Sequence, residues 1–248
     1  MSGDVLDGAL KAGGIVLEAA VAARLARYME LVLTANAVQN LTALRSPQLF
    51  AAEGIVDSLL AWRAAEIPTQ AFVDVGSGSG LPGLVWLLAG CAPHGTLVEA
   101  EGRKAEFLRA VVGELGVEAD VEWGRAEVLA RGARRDSAGV VSARAVASAP
   151  MAVEVAGGLV RPGGVLVLLK GPRAAVESVE AAPVAARMGF APVTLRGYET
   201  PELGLRCAMV YRKLRATPAG RPVAYARLKR EFGSKAGIAE REGGRKGE

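Results

Sequence analysis

With 248 residues, 51% of them hydrophobic, 23% charged and a formal net charge of +4, the chain is too apolar to stay disordered and long enough for one large α/β domain with an appendage. It has no run of the roughly 18 uninterrupted apolar residues that a membrane span needs, its start MSGDVLDGAL lacks the regions of a signal peptide, and its two cysteines, Cys91 and Cys207, form no C-x-x-C pair. These features argue against a membrane protein, a disulfide framework and a metal site, and they predict a cytoplasmic chain with reduced, buried thiols.

From Ile15 to about Thr34 the apolar residues Val16, Val21, Leu25, Met29, Val32 and Leu33 recur at near-helical spacing, which predicts an amphipathic helix. In RSPQLFAAEGIVDSLLAW, Ser46 is placed to cap and Pro47 to open a second helix running to about Trp62, with Gly54 a weak point inside it. From residue 71 short apolar segments alternate with helical ones: AFVDV, GTLVEA, EADVEW, GVVSA and GVLVLLK are each followed by a helix. The alternation predicts a parallel sheet covered on both faces, and FAPVTLRGY and LRCAMVYRK add two strands that close an edge.

Beyond Arg212 the composition shifts to Pro, Gly and basic residues: positions 212–248 hold eleven Lys and Arg against four Asp and Glu, whereas the rest of the chain holds 19 against 22. A nearly neutral body thus carries a basic arm, helical only in VAYARLKREF, which either attaches to a polyanion such as RNA or simply solubilises the chain. The expected division is a helical extension over 1–66, an α/β core over 67–213 and the basic arm over 214–248.

The stretch FVDVGSGSGLPG follows the first strand and places Gly76, Gly78 and Gly80 where a doubly wound sheet turns into its first helix. Glycine there permits positive φ and removes the Cβ that would hold a ligand off the backbone, although a plain tight turn has the same needs. The dinucleotide fingerprint G-x-G-x-x-G requires a small residue where Leu81 stands, and Asp74 just before the loop suits a cationic amino acid group better than a pyrophosphate. Glu99 at the end of the second strand can take both hydroxyls of a ribose, a role it would share with the acid of a nicotinamide enzyme. After the third strand, Glu127 in GRAEVL can either receive an adenine amino group or stabilise the first turn of its helix.

DVGSGSGLPG with Glu99, Glu127 and VRPGGVLVLLKG resembles the class I S-adenosylmethionine-dependent methyltransferases. More narrowly, NLTALRSP, IVDSL, the Leu-Pro-Gly after the glycine loop, GRKAEFLR, VSARAVAS and LLKG are together similar to the bacterial glucose-inhibited division protein B family, small-subunit ribosomal RNA guanine-N7 methyltransferases. The likeness runs from about residue 36 to 171. It implies a Rossmann-like fold with a mostly parallel seven-stranded sheet and an N-terminal helical extension. It also implies S-adenosylmethionine contacts at Gly76, Leu81, Ala126, Glu127 and Arg144, with the strip Glu99, Ala100 and Glu101 beside the ribose. The implied partner is 16S ribosomal RNA, alone or in a small ribosomal subunit or its precursor, and the implied state is a monomer. Two positions depart from the family: Gly54 and Cys207 stand where histidine is usual.

Methylation at guanine N7 needs no general base, because the lone pair already lies in the ring plane; orientation and exclusion of water suffice. An exocyclic amine acceptor would come with an Asn/Asp-Pro-Pro-aromatic segment where this chain reads VVSARAVAS, and a pyrimidine carbon would need a suitably placed cysteine. A ring nitrogen is favoured, with a small-molecule or protein acceptor as the alternative; Leu81 speaks against a nicotinamide-binding module. Arg144 and Lys170, at the ends of the fourth and fifth strands, are the candidates for orienting the substrate. In the arm, Arg227, Lys229 and Arg230 are candidates for phosphates, with Tyr225 and Phe232 among them able to stack on an RNA base, while Tyr225, Leu228 and Phe232 alternatively form a stripe suited to docking on the domain. Because the arm is far in sequence from the glycine loop, its removal is expected to spare cofactor affinity.

Overall fold

The computed structural model describes residues 2–232. β1 (Phe72–Val75) and β2 (Gly95–Glu99) are buried at every residue, a pattern that only a sheet covered on both faces allows. With β3 (Ala119–Trp123), β4 (Ala138–Arg144), β5 (Val160–Lys170), β6 (Thr194–Thr200) and β7 (Gly204–Arg212) they form one sheet in the order β3-β2-β1-β4-β5-β7-β6. The first five are parallel, and β7 runs antiparallel between β5 and β6. The mostly parallel seven-stranded sheet is therefore the one the alternation of segments predicts.

Successive strand residues feed opposite faces. Phe72, Leu97, Val140 and Val167 join one cluster, and Val73, Val98, Val141 and Leu166 join the other. The first cluster is completed by α1 (Ser2–Ala12), α2 (Ala19–Gln39), α4 (Asp57–Ala65), α5 (Gly83–Leu88) and α6 (Gly102–Leu115), through residues such as Leu6, Leu25, Tyr28, Leu59, Trp86 and Leu108, whereas the short α3 (Pro47–Leu49) buries no residue. The second is completed by α7 (Ala126–Leu129), α8 (Ala149–Gly157) and α9 (Ala174–Arg187), through Ala126, Val153 and Val184, and by Leu228 of the arm. The N-terminal helices are thus one layer of the common core. Trp86 shows how tightly they join it: its ring meets Trp62 and Phe72 edge-on at 5.0 and 5.4 Å, and its indole N–H donates to Ser58 O at 2.8 Å.

Two local features differ from the sequence reading. α1 precedes the first predicted helix, burying Leu6 and Leu10 despite Gly3 and Gly8. The helix opened by Ser46, whose hydroxyl accepts from Leu49 N at 3.2 Å, does not remain α-helical: Phe50–Val56 widens into a π-helical segment before α4. Gly54, expected as a weak point, is buried in that segment, and a Cβ on it would stand 3.4 Å from Leu81.

Candidate functional site

The strand order reverses between β1 and β4, and a ligand crevice opens beyond the carboxyl ends of such a pair. Val75 pairs with Ala143, so the residues after them, Gly76 and Arg144, follow side by side at the carboxyl ends of the two strands. The loop from Gly76 to Gly80 turns through three left-handed glycines, with φ of +69°, +57° and +108° at Gly76, Gly78 and Gly80. A Cβ at Gly76 would lie 2.6 Å from Val146 and one at Gly80 2.4 Å from Leu84, so both positions are also packed shut. At Gly78 the nearest atom would be 3.8 Å away; there the chain conformation alone, with space above it, selects glycine.

Glu99 fastens this loop to β2. Its Oε2 accepts from Gly78 N at 2.9 Å and its Oε1 from Glu101 N at 2.8 Å. Each carboxylate oxygen keeps capacity for a second donor, so the group can hold the loop and still receive hydroxyls. Asp74 has a different place. It is fully buried beneath the loop, where Oδ1 accepts from Ser142 Oγ at 2.7 Å and Oδ2 from Gly83 N at 3.3 Å. Burial pushes its carboxyl up to about 6, against the pull of those hydrogen bonds. The expectation that Asp74 faces a cationic group is corrected accordingly: it is a strut between β1, β4 and the start of α5.

A cleft of about 290 Å³ opens on the cluster side of the loop, lined by Gly76, Glu99, Ala100, Ala126 and Glu127 among the predicted residues. Lys104, Arg125, Val146, Val155 and Tyr225 line it as well, and none of these was foreseen as part of it. Arg125 stands inside the quoted segment GRAEVL and was within reach of the sequence argument, whereas nothing local marks Tyr225. Asp74, Gly78, Gly80, Leu81, Glu101, Arg144 and Lys170 lie outside the lining. Leu81 is buried against Gly54, and Glu101 faces outward in an ion pair with Lys104 at 2.9 Å.

Glu127 is buried, and its Oε1 accepts from Arg125 Nε at 2.8 Å and from Tyr225 N at 3.4 Å; Oε2 takes neither. The carboxylate therefore does more than stabilise the first turn of α7. It joins that turn to the C-terminal arm.

Arg144 is drawn into a second cluster beside the glycine loop. Asp57, fully buried, lies 3.3 Å from Arg144 Nη1 and accepts from Arg206 Nε and Nη2 at 3.2 Å each and from Tyr198 OH at 2.8 Å. Arg144 also donates to Glu53 O, a carbonyl of the π-helical segment. Two guanidiniums thus share one carboxylate, and a positive charge remains at the end of β4. Burial pushes the Tyr198 hydroxyl well above the usual phenol range, helped by Asp57, so it stays protonated and acts as a donor. A Cβ on Gly171, the glycine of LLKG, would stand 3.2 Å from Arg206 Nη1. Lys170 is spent elsewhere: its Nζ donates to Ala147 O at 2.7 Å and to Glu177 Oε2 at 2.8 Å. Cys207, beside Arg206 in β7, points into the opposite cluster.

The arm, as far as residue 232, is docked. Thr217 bonds to Asp136 through N–H and hydroxyl, Arg135 donates to the carbonyls of Thr217, Pro218 and Arg221, and the fully buried Glu154 accepts from Arg221 Nη1 and Val223 N at 3.0 Å each. Positions 225–232 are helical, with Leu228 fully buried, Tyr225 and Phe232 half-buried, and Arg227, Lys229 and Arg230 exposed. The remainder of the predicted arm, 233–248, lies outside the described residues.

The family described as rRNA small subunit methyltransferase G matches residues 21–203. Proteins called ribosomal RNA small subunit methyltransferase G are similar to this chain: that of Stenotrophomonas maltophilia (strain K279a) is 40% identical over 156 residues, 62% of this chain and 71% of its own length. The Sorangium cellulosum protein is 39% identical over 181 residues, 72% of this chain and 76% of its own. The Symbiobacterium thermophilum protein is 34% identical over 204 residues, 79% of this chain and 83% of its own. Among solved structures, a methyltransferase from Pyrococcus furiosus shares the fold, with a TM-score of 0.52 at 14% identity over 77% of this chain and 98% of that one. The fold is the Rossmann-like one of methyltransferases, and the chain belongs to the rRNA small subunit methyltransferase G family.

Proposed function

We propose that this chain transfers the methyl group of S-adenosylmethionine to N7 of a guanine in 16S ribosomal RNA. The observation that carries the reading is the cleft at the strand-order reversal, where one acid, Glu99, is bonded to a glycine-loop amide and a second, Glu127, stands at the far end. The donor set fits the cofactor. Carboxylates suit hydroxyl and amino groups, and Glu99 and Glu127 both line the cleft. When bound, S-adenosylmethionine supplies a methyl group on a sulfonium, which passes to N7 as the carbon–sulfur bond breaks toward sulfur.

The protein's part is binding, orientation and exclusion of water. Glu99 would receive the ribose hydroxyls, with Ala100 beside them, and Gly76 lines the same cleft. Ala126 and Glu127 would hold the adenine end, where the Glu127 carboxylate could accept from an amino group. Arg144, assisted by Arg206, offers N–H groups to the guanine O6 and leaves N7 unengaged, unlike the bidentate contact of DNA readers. Asp57 keeps these two cations together at the site. Lys170 is reassigned from substrate orientation to a support of the loop after β4, through Ala147 and Glu177. No proton leaves N7, so the absence of a titrating base from this scheme is chemically consistent.

Labelled methyl groups from the cofactor, offered to free small-subunit RNA, assembled subunits and a metabolite pool, test the reading. Label mapped to a guanine N7 of 16S RNA is expected. Label confined to metabolites or protein would contradict it.

A further inference from the structure

We infer that the C-terminal arm is part of the cofactor site: Tyr225 forms the wall of the adenine end of the cleft, with its aromatic ring toward the base. The inference rests on the cofactor reading above and adds to it a residue outside the family match, which ends at residue 203.

Tyr225 lines the same cleft as Gly76, Glu99 and Glu127. Its backbone N–H is bonded to Glu127 and its ring is covered on one side by Arg125, whose guanidinium carbon lies 4.4 Å from the ring centroid. Arg125 is held in turn by Glu127, so arginine, acid and tyrosine form one unit at the cleft wall. The segment leading to it is fixed by groups that need the arm. Glu154 is fully buried and has Arg221 at 3.0 Å, with Arg187 more distant at 4.0 Å; were the arm to leave, its charge would lose both hydrogen bonds described for it. Asp136 would lose Thr217. Stranding a buried carboxylate is costly, so the arm holds Tyr225 in place as part of the folded domain.

The chemistry of the wall selects its ligand. An aromatic ring that shares the cleft lining with the apolar Val146 and Val155 and with a carboxylate able to accept from an exocyclic amine suits a flat purine with an amino group. The outward face of the same helix carries Arg227, Lys229 and Arg230, so docking the arm uses its apolar stripe and leaves its cations to solvent.

Titration calorimetry with S-adenosylhomocysteine and with adenosine, on the full chain, tests the wall. Tyr225→Ala should weaken both ligands by about tenfold, within the range for loss of a base–aromatic stack. Tyr225→Phe should stay within about twofold of the parent protein, and Tyr225→Leu, which keeps apolar bulk and so guards against a folding failure, should fall between them. A purely structural tyrosine would instead lower the melting temperature while leaving affinity equal across the folded variants; equal affinities overturn the wall. Absence of binding by the parent protein overturns the cofactor reading itself, which separates the two failures.

Discussion

The glycine loop and the C-terminal arm meet at one cleft but are built by opposite means. The loop takes its shape locally: residues 74–83 contain its turn, its left-handed glycines and its strut, to which Tyr28, Glu99 and Ser142 add side-chain hydrogen bonds from other elements. The arm is held from a distance, by Asp136, Arg135, Glu154 and Glu127, acids and bases that precede it by some 70 to 100 positions in the sequence. The loop depends on backbone conformation and the arm on buried charge, so they should fail differently.

The largest expected difference is in stability. Deleting 216–248 strands Glu154 and frees Asp136, and should cost about 3–5 kcal/mol, the scale for removing one partner of a buried pair. Cofactor affinity should fall with it, contrary to the expectation from sequence distance that the two are independent. Urea unfolding measures the loss, and adding Glu154→Leu to the truncated chain should recover part of it. Unchanged stability on truncation would mean that the arm is only a tail.

A gentler change separates the arm's two faces. Replacing the exposed Arg227, Lys229 and Arg230 by alanine should leave melting temperature and cofactor affinity alone. If the three cations neutralise phosphates, the slope of log affinity for RNA against log salt should shrink by roughly two to three units. Equal slopes would assign these residues to solubility.

The smallest effects are pH signatures of opposite sign. Asp74, under the loop, is raised by burial from 3.8 to about 6, so between those values the folded form keeps a proton that the unfolded form has released. Its contribution to stability therefore falls as pH rises through that window. Lys213, fully buried at the root of the arm, is lowered by burial from 10.5 to about 8, with Asp136 opposing the shift. Between about 8 and 10.5 the unfolded form binds the extra proton, so here stability rises with pH. Melting of Asp74→Asn and Lys213→Met against the parent protein across pH 4–10.5 should remove each trend separately.

The sheet was legible because strands buried on both faces read as apolar runs, and the loop because glycines at fixed offsets announce positive φ. Asp74 was misplaced because adjacency in sequence does not say to which side of the sheet a carboxylate points; Ser142, brought in by β4, decides it. Lys170 was overvalued for a similar reason, since its partner Glu177 lies in the following helix. The π-helical segment escaped because Gly54 reads as a flaw in an α-helix, although the widened turn aims Glu53 O and Gly54 O at Arg144. Tyr225 was legible as a docking residue but not as part of the cleft: it is 98 positions from Glu127, and its apolar stripe signals docking without naming the surface.

The cleft at the strand-order reversal is expected to take S-adenosylmethionine through the glycine loop. Calorimetry of the parent protein and Gly78→Val with S-adenosylmethionine and with NAD addresses it directly. A β-branched residue at φ +57° is strained by about 1–2 kcal/mol and disturbs the amide that Glu99 holds, yet meets no protein atom closer than 3.8 Å at its Cβ, so the variant should fold and lose the cofactor. S-adenosylmethionine binding that the valine abolishes is expected, with no tight NAD binding by either protein. Tight NAD binding without S-adenosylmethionine binding, or a folded valine variant with unchanged S-adenosylmethionine affinity, would contradict it.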